Sequence, residues 1–335
     1  ERSWHGNTLG ALSVSGFLER KRAFEGSLLD VSRLSPVNAY RPIAGATAET
    51  VAEACAQELE REILRLGPEK FAAFIFEPVV GAAGGCVPAP PSYARRVREI
   101  CDRHGILLIA DEVMSGAGRC GTWRALETDG VEPDIMSVAK GLAAGYLPLG
   151  VAIYSNKVAD IIHGTHGAPM TGHTFTGHTA CCAAGVAVQK IVTREKLVER
   201  VRANEPKFRA MLADALAGVE AVGDIRGRGY FIAVELVADR KTKAPFPAAH
   251  RLFMRIRHGL TLDKPNDFVG KSALIAAKHK GIDRTLVGLR MLERGIPRQG
   301  YAVHDSAGAD RVGEVTSGTQ SPSLKQAIAD FKAGK

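Results

Sequence analysis

Two charged residues follow apolar segments of this chain at points where a strand would end. Asp111 comes directly after residues 106–110, and Lys140 lies just beyond residues 135–138. Singly, such an acid is often a helix cap and such a lysine is usually solvated. Together they indicate chemistry, because a buried amine of lowered pKa attacks carbonyls and a carboxylate keeps a heterocyclic nitrogen protonated. Pyridoxal phosphate chemistry requires such a pair, a Schiff-base lysine and an acid facing the pyridine nitrogen.

The hydrophobic pattern of the first two thirds of the chain predicts the elements that position this pair. Apolar residues recur every three or four positions from Thr47 to Gly67-Pro68, which predicts an amphipathic helix with a Thr cap. Strands and helices then alternate, at residues 72–76, 91–104, 106–110, 135–138, 149–154, 179–192 and 194–217. This alternation predicts a parallel sheet with its ligand site at the carboxyl ends of the strands. Asp111 and Lys140 are therefore expected to face one crevice.

Composition excludes several other classes of protein. The formal net charge is +8, but the basic residues are scattered and aromatic residues are only 6%, which argues against a nucleic-acid surface. No apolar run approaches the roughly 18 to 20 residues of a membrane span, and no signal-like leader opens the chain. The six cysteines form no CxxC pair, which favours reduced, buried thiols and no metal site. We therefore expect a cytoplasmic protein that binds neither nucleic acid nor membranes.

Six sequence blocks resemble, in order and spacing, the signatures of the class III aminotransferases. They are WHGNT (4–8), FEPVVG (76–81), DEVMSGAGR (111–119), SVAKGL (137–142), TFTGH (174–178) and GDIRGRG (223–229). The resemblance covers residues 1–258. It implies an α/β fold of the fold type I PLP-transferase class, with a mostly parallel sheet in a three-layer α/β/α large domain, followed by a small α+β, β-rich C-terminal region.

The resemblance also implies roles for single residues. Lys140 is expected to be the Schiff-base lysine and proton shuttle, and Asp111 the partner of the pyridine nitrogen. Val113 and Trp4 are expected on the two faces of the cofactor ring, where the family more often has Tyr at the Trp4 position. Thr174 is expected to reach the cofactor phosphate of a neighbouring subunit, which implies a homodimer with shared sites. Alone, Trp4 would be read as a core aromatic and Thr174 as a loop residue.

His5, Glu77 and Met114 complete the cofactor-binding set that the resemblance implies, although Glu77 could simply pair with a neighbouring base. Met114 stands where some members have Gln, and Ala82 where the 4-aminobutyrate and ornithine types have a second Glu. These departures favour transfer of an amino group from an amine or ω-amino acid to a keto acid such as pyruvate. The family's phosphate-binding helix start is expected before Glu1, so we expect weak cofactor binding and poor turnover from this chain.

From residue 262 onward the chain resembles the C-terminal part of the glycine cleavage T-protein, an aminomethyltransferase that uses tetrahydrofolate. The resemblance rests on LDKPNDFVGK (262–271), ERGIPRQGY (293–301) and VTSGTQSPSL (315–324). Arg294 and Arg298 could meet an anionic folate tail. A turn at Ser321-Pro322 is expected to precede a last helix.

The expected organisation is thus a PLP-binding large domain at residues 1–217, the start of a small domain at 218–258, and a T-protein-like segment at 262–335. About two domains also fit the length of 335 residues at roughly 150 residues per domain. A natural fusion, a recombined pseudogene and an assembly error are all compatible with a junction near Gly259. Tetrahydrofolate-dependent aminomethyl transfer and a non-catalytic chimeric fragment remain the alternative functions.

Overall fold

The computed structural model of the protein describes residues 1–247, 284–290, 302–304, 311–321 and 326–334. The chain divides into two compact units, Glu1–Pro245 and Phe246–Lys335. The junction near Gly259, the folate-facing arginines Arg294 and Arg298 and the block at residues 262–271 lie outside the described residues. The domain boundaries at residues 217 and 258 stay predictions.

The first unit is built around a four-stranded sheet flanked by helices. The strands of the whole unit are β1 (Ala73–Phe76), β2 (Val79–Val80), β3 (Val87–Pro88), β4 (Leu107–Asp111), β5 (Ile135–Val138), β6 (Val151–Tyr154), β7 (Val222–Arg228) and β8 (Phe231–Leu236). Its helices are α1 (Leu9–Val14), α2 (Leu18–Lys21), α3 (Val51–Leu66), α4 (Pro91–His104), α5 (Asn156–His166), α6 (Thr179–Arg194) and α7 (Leu197–Leu216). Short 3-10 turns lie at Arg22–Ser27, Pro68–Lys70, Ala125–Asp129 and Lys140–Leu142.

The main sheet has the strand order β1-β4-β5-β6. The first three strands are parallel, as expected, and their register places Asp111 of β4 beside Ser137 of β5. Strand β6 runs antiparallel to β5, which departs from the parallel continuation that the alternation predicted. The reason is the connection: residues 139–150 contain no α-helix, only the 3-10 turn Lys140–Leu142, and a parallel return usually crosses over through a helix.

Helices α3 and α4 bury their apolar faces against the strands. The periodic residues Val51, Cys55, Leu59 and Ile63 of α3 are buried together with the apolar face of α4 and the strand residue Leu108. Helix α4 ends at Gly105, whose left-handed backbone closes the last turn. This core holds β1, β4 and β5 in place, so the polar residues at their carboxyl ends are set on a rigid edge.

Ion pairs anchor the β7–β8 hairpin to the sheet region. Arg228 of β7 pairs with the buried Asp129 at 2.9 Å and donates to the Ala89 carbonyl at 2.8 Å. Arg226 of the same strand donates to the carbonyl of Gly85 at 2.8 Å. The hairpin is therefore held to the β2–β3 turn, to the residue after β3 and to the 3-10 turn Ala125–Asp129.

The second unit contains a four-stranded antiparallel sheet of order β10-β11-β12-β9. Its strands are β9 (Arg284–Arg290), β10 (Ala302–His304), β11 (Arg311–Ser321) and β12 (Gln326–Gly334). The last helix expected after Ser321-Pro322 is wrong, because residues 326–334 form β12. Strand β12 pairs with both β11 and β9, and such pairing on two sides overrides a weak local preference for helix.

The cysteines differ in their surroundings. Cys55, Cys101 and Cys120 are buried, and burial raises the pKa of their thiols to about 11, about 12 and about 12. Cys182 is exposed on α6, so the expectation of a buried thiol is wrong there.

Within the described residues, no helix is long and apolar enough to cross a bilayer.

The anchoring pair gives a stability prediction. Arg228→Met leaves the buried carboxylate of Asp129 without its cation, and we expect a loss of about 3 to 5 kcal/mol in the free energy of unfolding. Arg65→Met removes the exposed pair with Glu62 and should cost much less, because solvent screens exposed ion pairs. Urea unfolding of both variants measures the difference. Asp129→Asn added to Arg228→Met should recover part of the loss, and equal costs for the two single variants would contradict the anchor.

Candidate active site

Three neighbouring parallel strands end in polar residues at one edge of the sheet. Glu77 follows β1, Asp111 is the last residue of β4, and Lys140 lies two residues after β5. Asp111 and Glu77 are buried, whereas Lys140 is exposed. The carboxyl ends of parallel strands share one edge, so the sequence prediction that Asp111 and Lys140 meet there is supported by the topology.

The Asp111 carboxylate accepts hydrogen bonds from three sides. Its Oδ2 lies 2.8 Å from Nδ1 of His5, and a hydrogen bond to an ionised carboxylate requires the proton on that nitrogen. Its Oδ1 accepts the backbone N–H of Val113 at 3.0 Å and the hydroxyl of Ser137 at 3.2 Å. The three donors come from the N-terminal segment, the loop after β4 and strand β5, so they fix the orientation of the carboxylate.

Glu77 ties the N-terminal segment to the turn after β1. One carboxylate oxygen accepts the backbone N–H of Trp4 at 2.8 Å, and the other accepts that of Gly81 at 2.9 Å. Burial raises the pKa of Glu77, although the two N–H donors act in the opposite direction. A buried carboxylate that bridges two backbone segments indicates that the placement of Trp4 and His5 depends on it.

Three further residues of the predicted set, Trp4, Val113 and Met114, lie near the two carboxylates. The Trp4 ring meets Phe17 edge to face at 6.3 Å, and the Arg20 guanidinium lies 4.5 Å from the Trp4 ring centre. Val113 is half-buried directly after the Asp111-Glu112 pair. The Met114 sulfur packs over Gly81 so closely that a Cβ there would collide with it. Trp4, Val113 and Met114 therefore line the region around the two carboxylates.

Glu112 stabilises the loop that carries Val113 and Met114. Its side chain is fully buried, and its oxygens accept the Ser115 hydroxyl at 2.5 Å and the backbone N–H of Leu126 at 3.1 Å. Burial raises its pKa, and the hydrogen bonds to Ser115 and to the backbone counteract that effect. The carboxylate thereby closes the loop that carries Val113 and Met114.

Lys140 adopts an unusual backbone. Its φ is +47°, a region that non-glycine residues other than Asn and Asp rarely occupy. The side chain is exposed and forms no ion pair with any residue of the described part of the chain. The expectation that burial activates this amine is therefore not met, because the residues that follow it, from Gly141 to Thr179, are largely exposed.

Thr174 is not brought to the strand ends by any contact among the described residues. It lies on an exposed turn beside Phe175, which is 77% exposed. A cavity of about 730 Å³ lies along the outer edge of β1, with Leu59, Ile63 and Phe74 in its wall, and it extends to Glu77. It includes neither Asp111 nor Lys140, so the strand ends define the candidate site. No group of three metal-ligating side chains occurs among the residues described.

Two contributors were missed at the level of sequence. Ser137 was part of a recognised block, and its position as the polar residue of an otherwise apolar strand could have identified it as a donor to Asp111. Ser15 accepts the His5 N–H at 2.8 Å, and no local pattern signals that contact across ten residues.

The sequence matches two family models. Aminotransferase class-III matches residues 1–282, and the glycine cleavage T-protein C-terminal barrel domain matches residues 284–330. Both resemblances of the sequence analysis are thereby confirmed. An aminotransferase of Gibberella zeae is 45% identical over 249 residues, which are 73% of this chain and 49% of that protein. The chain spans about half the length of the curated relatives it matches.

Solved structures give the same result for the fold. An amine transaminase from an uncultivated Pseudomonas species, in its PLP-bound form, has a TM-score of 0.70 at 38% identity. The match covers 75% of this chain and 57% of the chain of that structure. An (S)-enantioselective omega-transaminase from Thermomicrobium roseum has a TM-score of 0.70 at 36% identity, and the match covers 75% of this chain and 56% of the chain of that structure. The predicted α/β architecture of fold type I is confirmed.

The contacts of Glu77 give a prediction with a matched control. Glu77→Gln replaces one of two oxygens that both accept N–H groups with an NH₂ group, so one backbone N–H loses its acceptor. We expect a loss of about 1 to 3 kcal/mol in the free energy of unfolding. Glu112→Gln should cost much less, because the Ser115 hydroxyl can rotate to accept from the new NH₂ group. Urea unfolding at pH 7 compares the two variants.

The same pair of variants has a defined pH dependence. A carboxyl group whose pKa is raised by folding stabilises the folded state at pH values below its unfolded pKa of about 4.3. This contribution to stability is lost as the pH rises through the raised pKa. Glu112→Gln should therefore flatten the decrease of stability with rising pH. A slope as steep as that of the unsubstituted protein would contradict the role given to burial.

Proposed function

We propose that this chain, which belongs to the class III aminotransferase family, acts as a pyridoxal phosphate-dependent transaminase. It would move an amino group from an amine or ω-amino acid to a keto acid such as pyruvate. The observation that carries the proposal is the pair of strand ends at which the buried Asp111 carboxylate and the exposed Lys140 amine lie on neighbouring strands.

The hydrogen bonds of Asp111 fit the nitrogen of the cofactor. An ionised carboxylate offers about four acceptor sites, and donors from His5, Val113 and Ser137 occupy three of them. One site remains for a further N–H donor, which is what a protonated pyridine ring presents. When bound, the cofactor supplies an electron sink for breaking a bond at the amine carbon. Asp111 would hold the ring nitrogen, and Lys140 would hold and move the proton at its Nζ.

The other residues of the set would hold the ring and its substituents. We assign Trp4 and Val113 to the two ring faces, and His5 to the side of Asp111 turned away from the cofactor. Glu77 would act on the ring through the backbone of Trp4, and Met114 would pack near the ring hydroxyl. These assignments are supported by the contacts that hold the five residues at the sheet edge, through the backbone N–H groups of Trp4 and Val113 and the side chains of the other three.

We further propose a homodimer in which Thr174 reaches the cofactor phosphate of the partner subunit. Exposed apolar side chains in the segment between Lys140 and α6 support a covered surface, since Tyr146, Met170 and Phe175 are each more than three quarters exposed. The substrate assignment is supported by two similar structures, which are described as an amine transaminase and an omega-transaminase.

Tetrahydrofolate-dependent aminomethyl transfer is less well supported. The match to the T-protein is confined to residues 284–330 and to its C-terminal barrel domain. The aminotransferase match covers residues 1–282, which include all candidate site residues. Pyridoxal phosphate is therefore the cofactor that we propose.

Covalent labelling tests the role of Lys140. We expect incubation with pyridoxal phosphate, borohydride reduction and peptide mapping to find the pyridoxyl group on Lys140, because it follows β5, the strand beside the one that ends in Asp111. Lys140→Arg should abolish the label, whereas Lys157→Arg, at another exposed lysine, should leave it unchanged. Labelling spread evenly over the surface lysines would refute the assignment.

Asp111→Asn tests the partner of the ring nitrogen. An amide cannot balance the positive charge of the pyridine ring, so we expect the amino-transfer half-reaction to slow by a factor on the order of 10² to 10³. Stopped-flow absorbance with a saturating amine measures the rate, and Asp160→Asn at an exposed position serves as the control. Unchanged rates in Asp111→Asn would remove Asp111 from the mechanism.

A further inference from the structure

A lysine beside the candidate site is buried without an acidic partner among the described residues. Lys21, the last residue of α2, is only 4% exposed, and its Nζ donates to the carbonyl oxygens of Ser13 at 2.7 Å and Ser15 at 2.8 Å. No carboxylate in the described part of the chain forms an ion pair with it. Burial is the main cause that lowers its pKa. A buried ammonium is costly, so its position between two carbonyls at the end of α1 calls for an explanation.

The turn that Lys21 holds is in contact with the N-terminal segment. Ser15 is fully buried, and its hydroxyl oxygen accepts the backbone N–H of His5 at 2.8 Å. The next residue, Gly16, donates its N–H to the Ser3 carbonyl at 3.0 Å and accepts the N–H of Arg2 at 3.1 Å. A Cβ at Gly16 would lie 2.6 Å from backbone atoms of residues 1 and 2, so the two segments are in close backbone contact.

These contacts form one chain that ends at Asp111. Lys21 fixes the Ser15 carbonyl, Ser15 fixes the His5 backbone, and the His5 imidazole donates to Asp111 at 2.8 Å. The same short helix α2 also places the guanidinium of Arg20 over the Trp4 ring. The segment that carries Trp4 and His5 is therefore clamped by Glu77 on one side and by the turn at Ser15 on the other.

We propose that Ser15 and Lys21 are positioning residues that orient the His5 imidazole against Asp111. Neither touches Asp111, so each acts only through the backbone of His5. Their effect at the cofactor rests on the proposed function, because it passes through the carboxylate assigned to the ring nitrogen. Removal of the partners that orient a metal-ligating histidine typically changes metal affinity or activity 10- to 100-fold, and by analogy we expect about a tenfold effect here.

The chain offers a matched control in Ser13. Its hydroxyl donates to the carbonyl four residues earlier, Leu9, at 2.6 Å and accepts the N–H of Leu29 at 2.9 Å. The Ser15 hydroxyl likewise donates to the carbonyl four residues earlier, that of Ala11, at 2.8 Å. Both serines are buried and each accepts one distant N–H, but only Ser15 is bonded to His5. Ser13→Ala and Ser15→Ala should therefore lower Tm by similar amounts.

The test measures the His5 imidazole in the full chain without added cofactor. In the protein labelled with ¹⁵N-histidine, the proton on Nδ1 of His5, assigned by its absence in His5→Gln, should exchange slowly with water. We expect Ser15→Ala to speed that exchange at least about tenfold, or to remove the signal, while Ser13→Ala leaves it unchanged. Equal behaviour of the two serine variants would overturn the proposal and reduce Ser15 to a structural role.

A second pair of variants applies if Ser15→Ala does not fold. Lys21→Met removes the donor to both carbonyls and should also speed exchange of the His5 proton, whereas Lys21→Arg, which can donate to both, should preserve slow exchange. A signal retained in Lys21→Met would overturn the proposal in the same way.

Addition of pyridoxal phosphate separates this proposal from the proposed function. Ser15→Ala should raise the concentration needed for half-saturation about tenfold relative to Ser13→Ala. If no variant binds the cofactor, the proposed function fails, but the imidazole measurement still decides the positioning role. If Ser15→Ala binds pyridoxal phosphate at Lys140 as tightly as Ser13→Ala and its His5 signal is unchanged, only the positioning role is refuted.

Discussion

The hydrogen bond between His5 and Asp111 links the start of the chain to the centre of the sheet. It joins residues 106 positions apart, and both side chains are buried. Because Asp111 is the last residue of β4, any shift of the N-terminal segment changes what the strand end presents. The rest of the site is arranged around this bond: Glu77 holds Trp4 beside it, and Ser137 and Val113 hold the other oxygen of the same carboxylate.

Three buried carboxylates stand close together in this part of the fold, and each is compensated differently. Asp111 is compensated by an imidazole, a hydroxyl and an N–H group, and Glu77 by two backbone N–H groups. Glu112 has a hydroxyl and the backbone at the start of the 3-10 turn Ala125–Asp129. An unpaired carboxylate at any of these positions would cost several kcal/mol, so the hydrogen bonds are a condition for the fold itself. Stability and the geometry of the site therefore depend on the same contacts.

The sequence predicted the parts of the fold that local patterns determine. The helix at residues 91–104 and the strand at 135–138 have the predicted bounds, and Asp111 and Lys140 lie at the expected strand ends. The direction of β6 could not be predicted from its own residues, because direction depends on the connection that precedes it. Asp111 and Lys140 lie at the strand ends that their motifs indicated, whereas Thr174 lies in a motif and no contact among the described residues brings it there; the roles of these residues stay predictions. The burial of Lys21 could not be predicted, because a basic run such as 20–22 is typical of a solvated surface, and only tertiary packing buries its middle residue.

The backbone of Lys140 has a consequence for how this position can change over time. At a φ of +47°, folding alone favours glycine or asparagine, and a long side chain there costs of order 1 kcal/mol or more. A lineage no longer selected for chemistry would meet no barrier to losing the lysine, since the replacement would stabilise the fold. Stability and the proposed chemistry thus make opposite demands on position 140, because the backbone favours glycine there and the chemistry requires an amine.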